Sequence, residues 1–393
     1  MSDHLMNTYL PLPVSFTHGE GAWLFDTDGK RYLDALGGIA VCALGHAHPA
    51  VTEAICDQAG RLLHSSNLYR IDNQNALADA LCEKAGMERV FFSNSGAEAN
   101  EAALKLARLF GHQKNIDNPQ VIVTEGNFHG RTIATLTATG NRKIQAGFEP
   151  LVPGFLRAPY NDIEALRTIA GNSPDVVAVL VEPITGEGGI RIPDDDYLTT
   201  IRALCDEHGW LMMLDEIQTG MGRTGRWFAH QHAGIKPDVM TLAKALGNGV
   251  PIGACLANGP AAEVFKPGNH GSTFGGNPLA TRAALAVVET MDKHKLVARA
   301  AELGERLLAG FHARLDDKDG ITEIRGKGLM LGIELDRPCG VLVQRALDTG
   351  LLINVTDTSV VRLLPPLILS DEQADTVCDS VCELIESFLD ETP

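Results

Sequence analysis

An acidic strand end and a solitary lysine carry the clearest chemistry in the sequence. The apolar run Leu211-Met212-Met213-Leu214 ends in Asp215-Glu216-Ile217-Gln218, and Lys244 sits within Leu242-Ala243-Lys244-Ala245-Leu246-Gly247-Asn248-Gly249. A carboxylate that ends an apolar strand and a lysine in apolar, glycine-rich surroundings can grip opposite ends of one small cationic ring. Pyridoxal phosphate answers to that description. Its aldehyde condenses with a lysine amine to a Schiff base, and its ring nitrogen needs an acidic partner to stay protonated. Taken alone, each residue favours an ordinary strand end and a surface lysine, so the case rests on their surroundings.

Other strand ends supply those surroundings. Val90-Phe91-Phe92 runs into Ser93-Asn94-Ser95-Gly96, and Ala99, Ala102, Ala103, Leu106, Ala107 and Phe110 then follow helical spacing. The start of that helix offers the unpaired N–H groups of Gly96 and Ala97, and Ser95 adds a hydroxyl, a combination that suits a phosphate. An ordinary N-cap by Ser95 would look the same. Val121-Ile122-Val123 leads to Phe128-His129-Gly130-Arg131. Phe128 can stack on a flat heterocycle or plug the core. Arg131 can clamp a carboxylate with its forked donors or make a surface ion pair. A further strand reaches Glu182-Pro183, and Glu187 follows between Gly186 and Gly188. Those glycines mark backbone passing close to something, or a tight turn. Gln218, three residues past Asp215, brings an amide near the same ring.

The elements that must hold these residues follow from the pattern of the chain. Short, continuously apolar strands such as Val176 to Val181 and Trp210 to Leu214 alternate with helical stretches from about residue 50. That pattern predicts an α/β fold with a mostly parallel central sheet flanked by helices, and such sheets bind ligands at the carboxyl ends of their strands. Near the start, Gly21 to Asp26 and Arg31 to Asp34 flank Asp28-Gly29, a hairpin with good turn chemistry. A long helix is expected over Leu279 to His294, opening a smaller α+β unit. The division expected is 1–49 for the hairpin segment that joins the small unit, 50–278 for the large domain and 279–393 for the small C-terminal domain.

Composition narrows the classes. The 393 residues are 45% hydrophobic and 21% charged, as in ordinary soluble globular proteins. A net charge of −17 argues against nucleic acid or an anionic membrane as the main partner. The first residues lack a basic-then-apolar signal pattern, no apolar run is long enough to cross a bilayer, and the eight cysteines have no framework spacing. A cytoplasmic protein with reduced thiols is expected. Cys378 and Cys382, one helical turn apart, read as a half-buried helix face. Gly326-Lys327-Gly328-Leu329 lacks the third glycine of a dinucleotide fingerprint and the helix expected after it. Gly45-His46-Ala47-His48-Pro49 reads as a turn, and no metal site is expected.

Four strings carry a resemblance: Asn94-Ser95-Gly96-Ala97-Glu98-Ala99-Asn100-Glu101-Ala102, Phe128-His129-Gly130-Arg131-Thr132, Asp215-Glu216-Ile217-Gln218-Thr219-Gly220 and Gly271-Ser272-Thr273-Phe274-Gly275-Gly276-Asn277-Pro278. Their types and order resemble the class III (ω-amino) aminotransferases, pyridoxal-phosphate enzymes of fold type I. The likeness runs from the N-terminal hairpin to Arg362-Leu363-Leu364-Pro365-Pro366-Leu367. Within the family the chain looks most like the enzymes acting on N-acetylornithine, notably in Gly37-Gly38-Ile39-Ala40-Val41 and in its compact length.

The resemblance implies roles by position. Lys244 would form the internal aldimine and shuttle the proton, Asp215 would hold the pyridinium, Gln218 would meet the ring hydroxyl and Phe128 would stack on the ring. Ser95 with the Gly96 and Ala97 amides would hold the phosphate, and Thr273 would reach the phosphate of the neighbouring subunit, which implies a homodimer with sites at the interface. Arg131 would bind the donor's carboxylate, Arg362 the α-carboxylate of glutamate or 2-oxoglutarate, and Ser272 would lie near the substrate. Glu187 would pair with Arg362 while the donor is bound and swing away for glutamate. The activity implied is transfer of the δ-amino group of N2-acetylornithine to 2-oxoglutarate in arginine biosynthesis. Succinylornithine, ornithine or 4-aminobutyrate as donors, an aminomutase, and a non-catalytic scaffold stand as alternatives.

Overall fold

The apolar runs become the sheet they predict. In the computed structural model, which describes residues 4–391, Val176–Val181 is buried at every position. It lies inside a seven-stranded sheet ordered Arg89–Ser93, Gly253–Ala257, Val239–Leu242, Leu211–Asp215, Val176–Val181, Gln120–Thr124, Phe155–Ala158. Gly253–Ala257 is antiparallel to both its neighbours, and every other pair is parallel. Strands buried on both faces cannot alternate polar and apolar residues, which explains their uniform sequence. Each fully buried Val or Leu among them contributes about 1.5–3 kcal/mol.

The helix Gly96–Gln113 crosses this sheet with Ala99, Ala102, Ala103, Leu106 and Ala107 buried, as their spacing predicts. Ser95 caps it: the Glu98 amide donates to Ser95 Oγ at 3.2 Å, an interaction whose loss costs about 1 kcal/mol in typical helices. The strand over Trp210 to Leu214 begins one residue later, at Leu211, and ends on Asp215 itself. The expected long helix spans Pro278–Lys293.

Two smaller sheets complete the molecule. Ile321–Lys327, Met330–Leu335, Val360–Leu363 and Asn354–Thr356 form an antiparallel sheet. The helices Leu296–Leu315 and Asp371–Asp390 lie beside it, with Leu307, Phe311, Val377 and Val381 in a shared core. Gly326-Lys327-Gly328 falls at the hairpin between the first two strands, so no dinucleotide-binding helix follows it. The N-terminal hairpin, Trp23–Asp26 with Arg31–Asp34, gains Phe16–Glu20 on one side and Leu351–Leu352 on the other. Cys378 and Cys382 are buried free thiols on the helix Asp371–Asp390.

In the turn after Gly45, His46 Nε2 lies 2.8 Å from Asp34 Oδ2. Among the described residues no group of His, Cys, Asp and Glu is arranged to hold a metal. Nor is any helix there long and apolar enough to cross a membrane.

Candidate active site

Five strand ends of the large sheet converge on one cavity. Arg89–Ser93 leads to Ser95, Gln120–Thr124 to Phe128 and Arg131, Val176–Val181 to Glu182, Leu211–Asp215 to Asp215, and Val239–Leu242 to Lys244. The cavity measures about 410 Å³, inside the range of roughly 300–1,000 Å³ usual for small-molecule sites. Gly96, Ala97, Gln218 and Glu187 also line it, with Val41, Ile217 and Ile252 as apolar wall.

Asp215 is the most heavily tied group. Asn100 Nδ2 donates to its Oδ2 at 2.7 Å, and His129 Nδ1 lies 2.8 Å from the same oxygen. The carboxylate can only accept, so Nδ1 is the protonated nitrogen of that imidazole. Asn100 is held in turn: its Nδ2 also reaches His129 O at 2.8 Å, and Thr241 Oγ1 donates to its Oδ1 at 2.8 Å. The Ile217 amide donates to Asp215 Oδ1 at 3.1 Å. A buried network of this kind fixes one orientation, because each lost bond leaves an unsolvated polar group.

Glu182 performs the same service for the backbone at Phe128 and Gly186. Its carboxylate accepts from the Phe128 amide at 2.9 Å and from the Gly186 amide at 3.1 Å. Burial raises its pKa well above the ordinary carboxylate value, and the nearby Asp215 charge adds to the rise. The glycines flanking Glu187 are close approaches. A Cβ at Gly186 would stand 2.6 Å from Gln218 Nε2, and one at Gly188 would stand 2.3 Å from Gly126 O. Arg131 is exposed, lies 5.6 Å from the Phe128 ring centroid, and makes no ion pair among the described residues.

Lys244 projects from a strained backbone. Its φ of 45° is left-handed, an uncommon state for a side-chain-bearing residue that often marks functional positions. Burial lowers its pKa from the ordinary 10.5; the Glu187 carboxylate works against that shift and the Arg362 guanidinium with it. The amine is thereby kept closer to its neutral, nucleophilic form.

Arg362 stands behind Glu187. Its Nη1 donates to Glu187 Oε1 at 2.7 Å, while Nε and Nη2 both reach Asn354 Oδ1, at 3.1 and 2.7 Å. Burial would raise the Glu187 carboxyl, and Arg362, with the Lys244 and Arg131 charges, more than offsets it, leaving the pKa below 4.5.

Ser272 and Thr273 lie elsewhere. They border a neighbouring cavity of about 400 Å³ with Asn94 and Phe274, and Asn94 Nδ2 donates to Ser272 Oγ at 3.2 Å. Sequence reasoning gave no separate role to Asn100, His129, Glu182 or Asn354. Asn100 did carry a signal: it is the one polar residue on the stripe Ala99, Ala103, Ala107 of its helix. His129 and Asn354 carried none that spacing alone could show.

The polar groups suit pyridoxal phosphate. The Gly96 and Ala97 amides open a helix and have no carbonyl one turn earlier to bond. Gln218 Oε1 is buried without a partner among the described residues. Such orphaned groups call for a ligand with matching donors and acceptors.

Comparison with known proteins agrees. The family model described as Aminotransferase class-III matches residues 5–385. The acetylornithine aminotransferase of Nitrosomonas europaea is 56% identical over 387 residues, 98% of each chain. That of Methanothermobacter thermautotrophicus is 46% identical over 384 residues, 98% of this chain and 97% of the relative. Among solved structures, the ornithine aminotransferase of Toxoplasma gondii overlays with a TM-score of 0.95 at 36% identity, covering 99% of this chain and 94% of that one. The N-acetylornithine aminotransferase of Stenotrophomonas maltophilia overlays with a TM-score of 0.85 at 36% identity, covering 96% and 97%. With a lysine and a carboxylate lining one strand-end cavity, and a family match across almost its whole length, the chain belongs to the class III aminotransferases.

Proposed function

We propose that this pyridoxal-phosphate-dependent aminotransferase moves the δ-amino group of N2-acetylornithine to 2-oxoglutarate, giving N-acetylglutamate 5-semialdehyde and glutamate. The observation that carries the substrate reading is the pairing of Glu187 with Arg362 beside Lys244 and Arg131. The donor brings an amine with no carboxylate beside it, so a bare Arg362 would favour the wrong substrate. Glutamate brings an amine with a carboxylate and needs that arginine. Glu187 can mask Arg362 in the first case and turn aside in the second.

The cofactor's phosphate would be held by the Ser95 hydroxyl and the Gly96 and Ala97 amides, where the helix dipole favours an anion. Asp215 would hold the pyridine nitrogen, Gln218 the ring hydroxyl, and Phe128 one ring face. When bound, pyridoxal phosphate would supply a carbonyl carbon for amines and an electron sink for the carbon that gives up its proton. Lys244 Nζ would take the proton from the amine-bearing carbon; burial lowers its pKa and makes it available as a base. Arg131 orients the donor through its carboxylate, and Val41, Ile217 and Ile252 exclude water from the reacting atoms.

The family resemblance reads Thr273 as reaching the phosphate of a second copy, and Thr273 borders a cavity other than the one that contains Lys244. Phe274, beside it, is 61% exposed, and Leu68 and Tyr69 are 85% and 70% exposed, which supports a homodimer built across this face. Sedimentation at micromolar concentration tests it: a monomer that retains full turnover overturns the shared site.

The close overlay with the Toxoplasma gondii ornithine enzyme favours a second reading, free ornithine as donor. Turnover of acetylated, succinylated and free donors against 2-oxoglutarate separates the two. The acetylated donor is expected to give the highest kcat/KM, and a higher value for free ornithine overturns the proposal.

A further inference from the structure

Arg362 is buried to 1% exposure, yet the acceptor that takes two of its donors is neutral. Nε and Nη2 share Asn354 Oδ1, and only Nη1 meets a carboxylate, that of Glu187. Asn354 and Arg362 face each other directly in the antiparallel pair Asn354–Thr356 with Val360–Leu363, so the amide is fixed by strand register.

Arg325 in the same sheet is handled differently, with Nη1 at 2.6 Å from carboxylates of both Glu323 and Glu334. Arg223 shows that a buried guanidinium need not be hydrogen-bonded to a carboxylate to keep its charge: it donates to the carbonyls of Leu329 and Pro365, and burial brings its pKa down only to about 10, with the Asp34 charge opposing the fall.

The backbone of Glu187 is also fixed. Thr356 Oγ1 donates to Glu187 O at 2.6 Å, and Arg325 Nε reaches Gly189 O and Ile190 O at 3.2 and 3.0 Å. The Glu187 side chain, by contrast, is 40% exposed. The short strand Asn354–Thr356 therefore holds Arg362 at one end and the Glu187 carbonyl at the other, and leaves the Glu187 carboxylate free to turn.

We propose that Asn354 is a specificity-determining positioning residue: a fixed, neutral acceptor that orients Arg362 and leaves its charge for an incoming carboxylate. Glu187 is then the one counter-ion to displace among the described residues. A carboxylate at 354 would be a counter-ion that cannot leave. The inference rests on reading Arg362 as the site of the α-carboxylate.

The test uses the holoenzyme and its Asn354→Asp, Asn354→Ala and Arg362→Lys variants. Two quantities are read: the Kd of glutarate, an unreactive dicarboxylate, by calorimetry, and single-turnover kcat/KM for glutamate and for N2-acetylornithine. Asn354→Asp keeps size and acceptor geometry. It is expected to weaken glutarate and the glutamate half-reaction by about tenfold or more, with N2-acetylornithine changed by no more than about twofold. Asn354→Ala, which loses orientation but adds no charge, should move both in the same direction by less.

A purely structural acceptor predicts wild-type behaviour for Asn354→Asp, and that result overturns the proposal. So does an equal loss in both half-reactions. If Arg362→Lys weakens glutarate while Asn354→Asp does not, the positioning role alone is wrong. If Arg362→Lys leaves glutarate unchanged, the reading of Arg362 falls, and the role of Asn354 with it.

Discussion

Arg362 Nη1 and Glu187 Oε1 lie 2.7 Å apart, although the arginine side chain is 1% exposed and the glutamate 40%. One partner is fixed in the interior and the other stands at the cavity wall. An ion pair built this way has a hinge on one side only. It stores no great stability, because half-exposed pairs are screened. On the proposed reading its value lies in exchange, with a substrate carboxylate taking the place of the side-chain one.

The pair sets an acid limit. Glu187 has a folded pKa below 4.5, so it contributes stability above that value and loses it as pH falls through the lower folded value. The difference in Tm between the wild-type protein and Glu187→Gln should be constant from neutrality to about pH 4.5 and shrink below it. A difference that grows on acidification contradicts the assignment.

Lys244 should react as an amine of lowered basicity. In the apoenzyme, the rate of pyridoxal phosphate uptake is expected to reach half its maximum below pH 10.5. Because the Glu187 charge opposes the lowering, Glu187→Gln should bring the midpoint down further. A midpoint at or above that of free lysine would falsify this account of the site.

Glu182 is buried against two backbone amides, those of Phe128 and Gly186. Glu182→Ala strands both donors, a loss of about 1–3 kcal/mol for each that stays buried and unpaired. Thermal unfolding of the apoprotein should show a clear drop in Tm, with weaker cofactor retention as Phe128 and the Gln218 wall loosen. An unchanged Tm contradicts the role.

Asn100 and His129 both hold the Asp215 carboxylate, and Asn100 also holds the His129 carbonyl. Asn100→Ala should weaken pyridoxal phosphate by about tenfold, the low end of what outer-shell partners are worth at other sites. Fluorescence titration of the apoprotein reads it. Asn100→Asp should be worse than Ala, since it sets a second carboxylate against Asp215.

Much of this was legible in the residues. Continuous apolar runs announced the parallel sheet, because strands covered on both faces have no polar side to show. Asp215 and Lys244 stood out because chemistry restricts which types can hold a ring at both ends. The pattern failed where long-range pairing decides. Gly253–Ala257 enters the sheet antiparallel, and nothing in Gly-Ala-Cys-Leu-Ala states its direction. Asn354 meets Arg362 through strand register, and His129 reaches Asp215 across 86 residues of sequence. Such contacts leave no periodic trace.

The central claim is that one cavity serves two unlike amines by exchanging the counter-ion of Arg362. The measurement that reaches it most directly is the ratio of single-turnover kcat/KM for glutamate to that for N2-acetylornithine, in the wild-type enzyme and in Glu187→Ala. Removing the carboxylate should raise the ratio towards glutamate by about tenfold, because nothing then masks Arg362 when the donor arrives. An unchanged ratio would contradict the account.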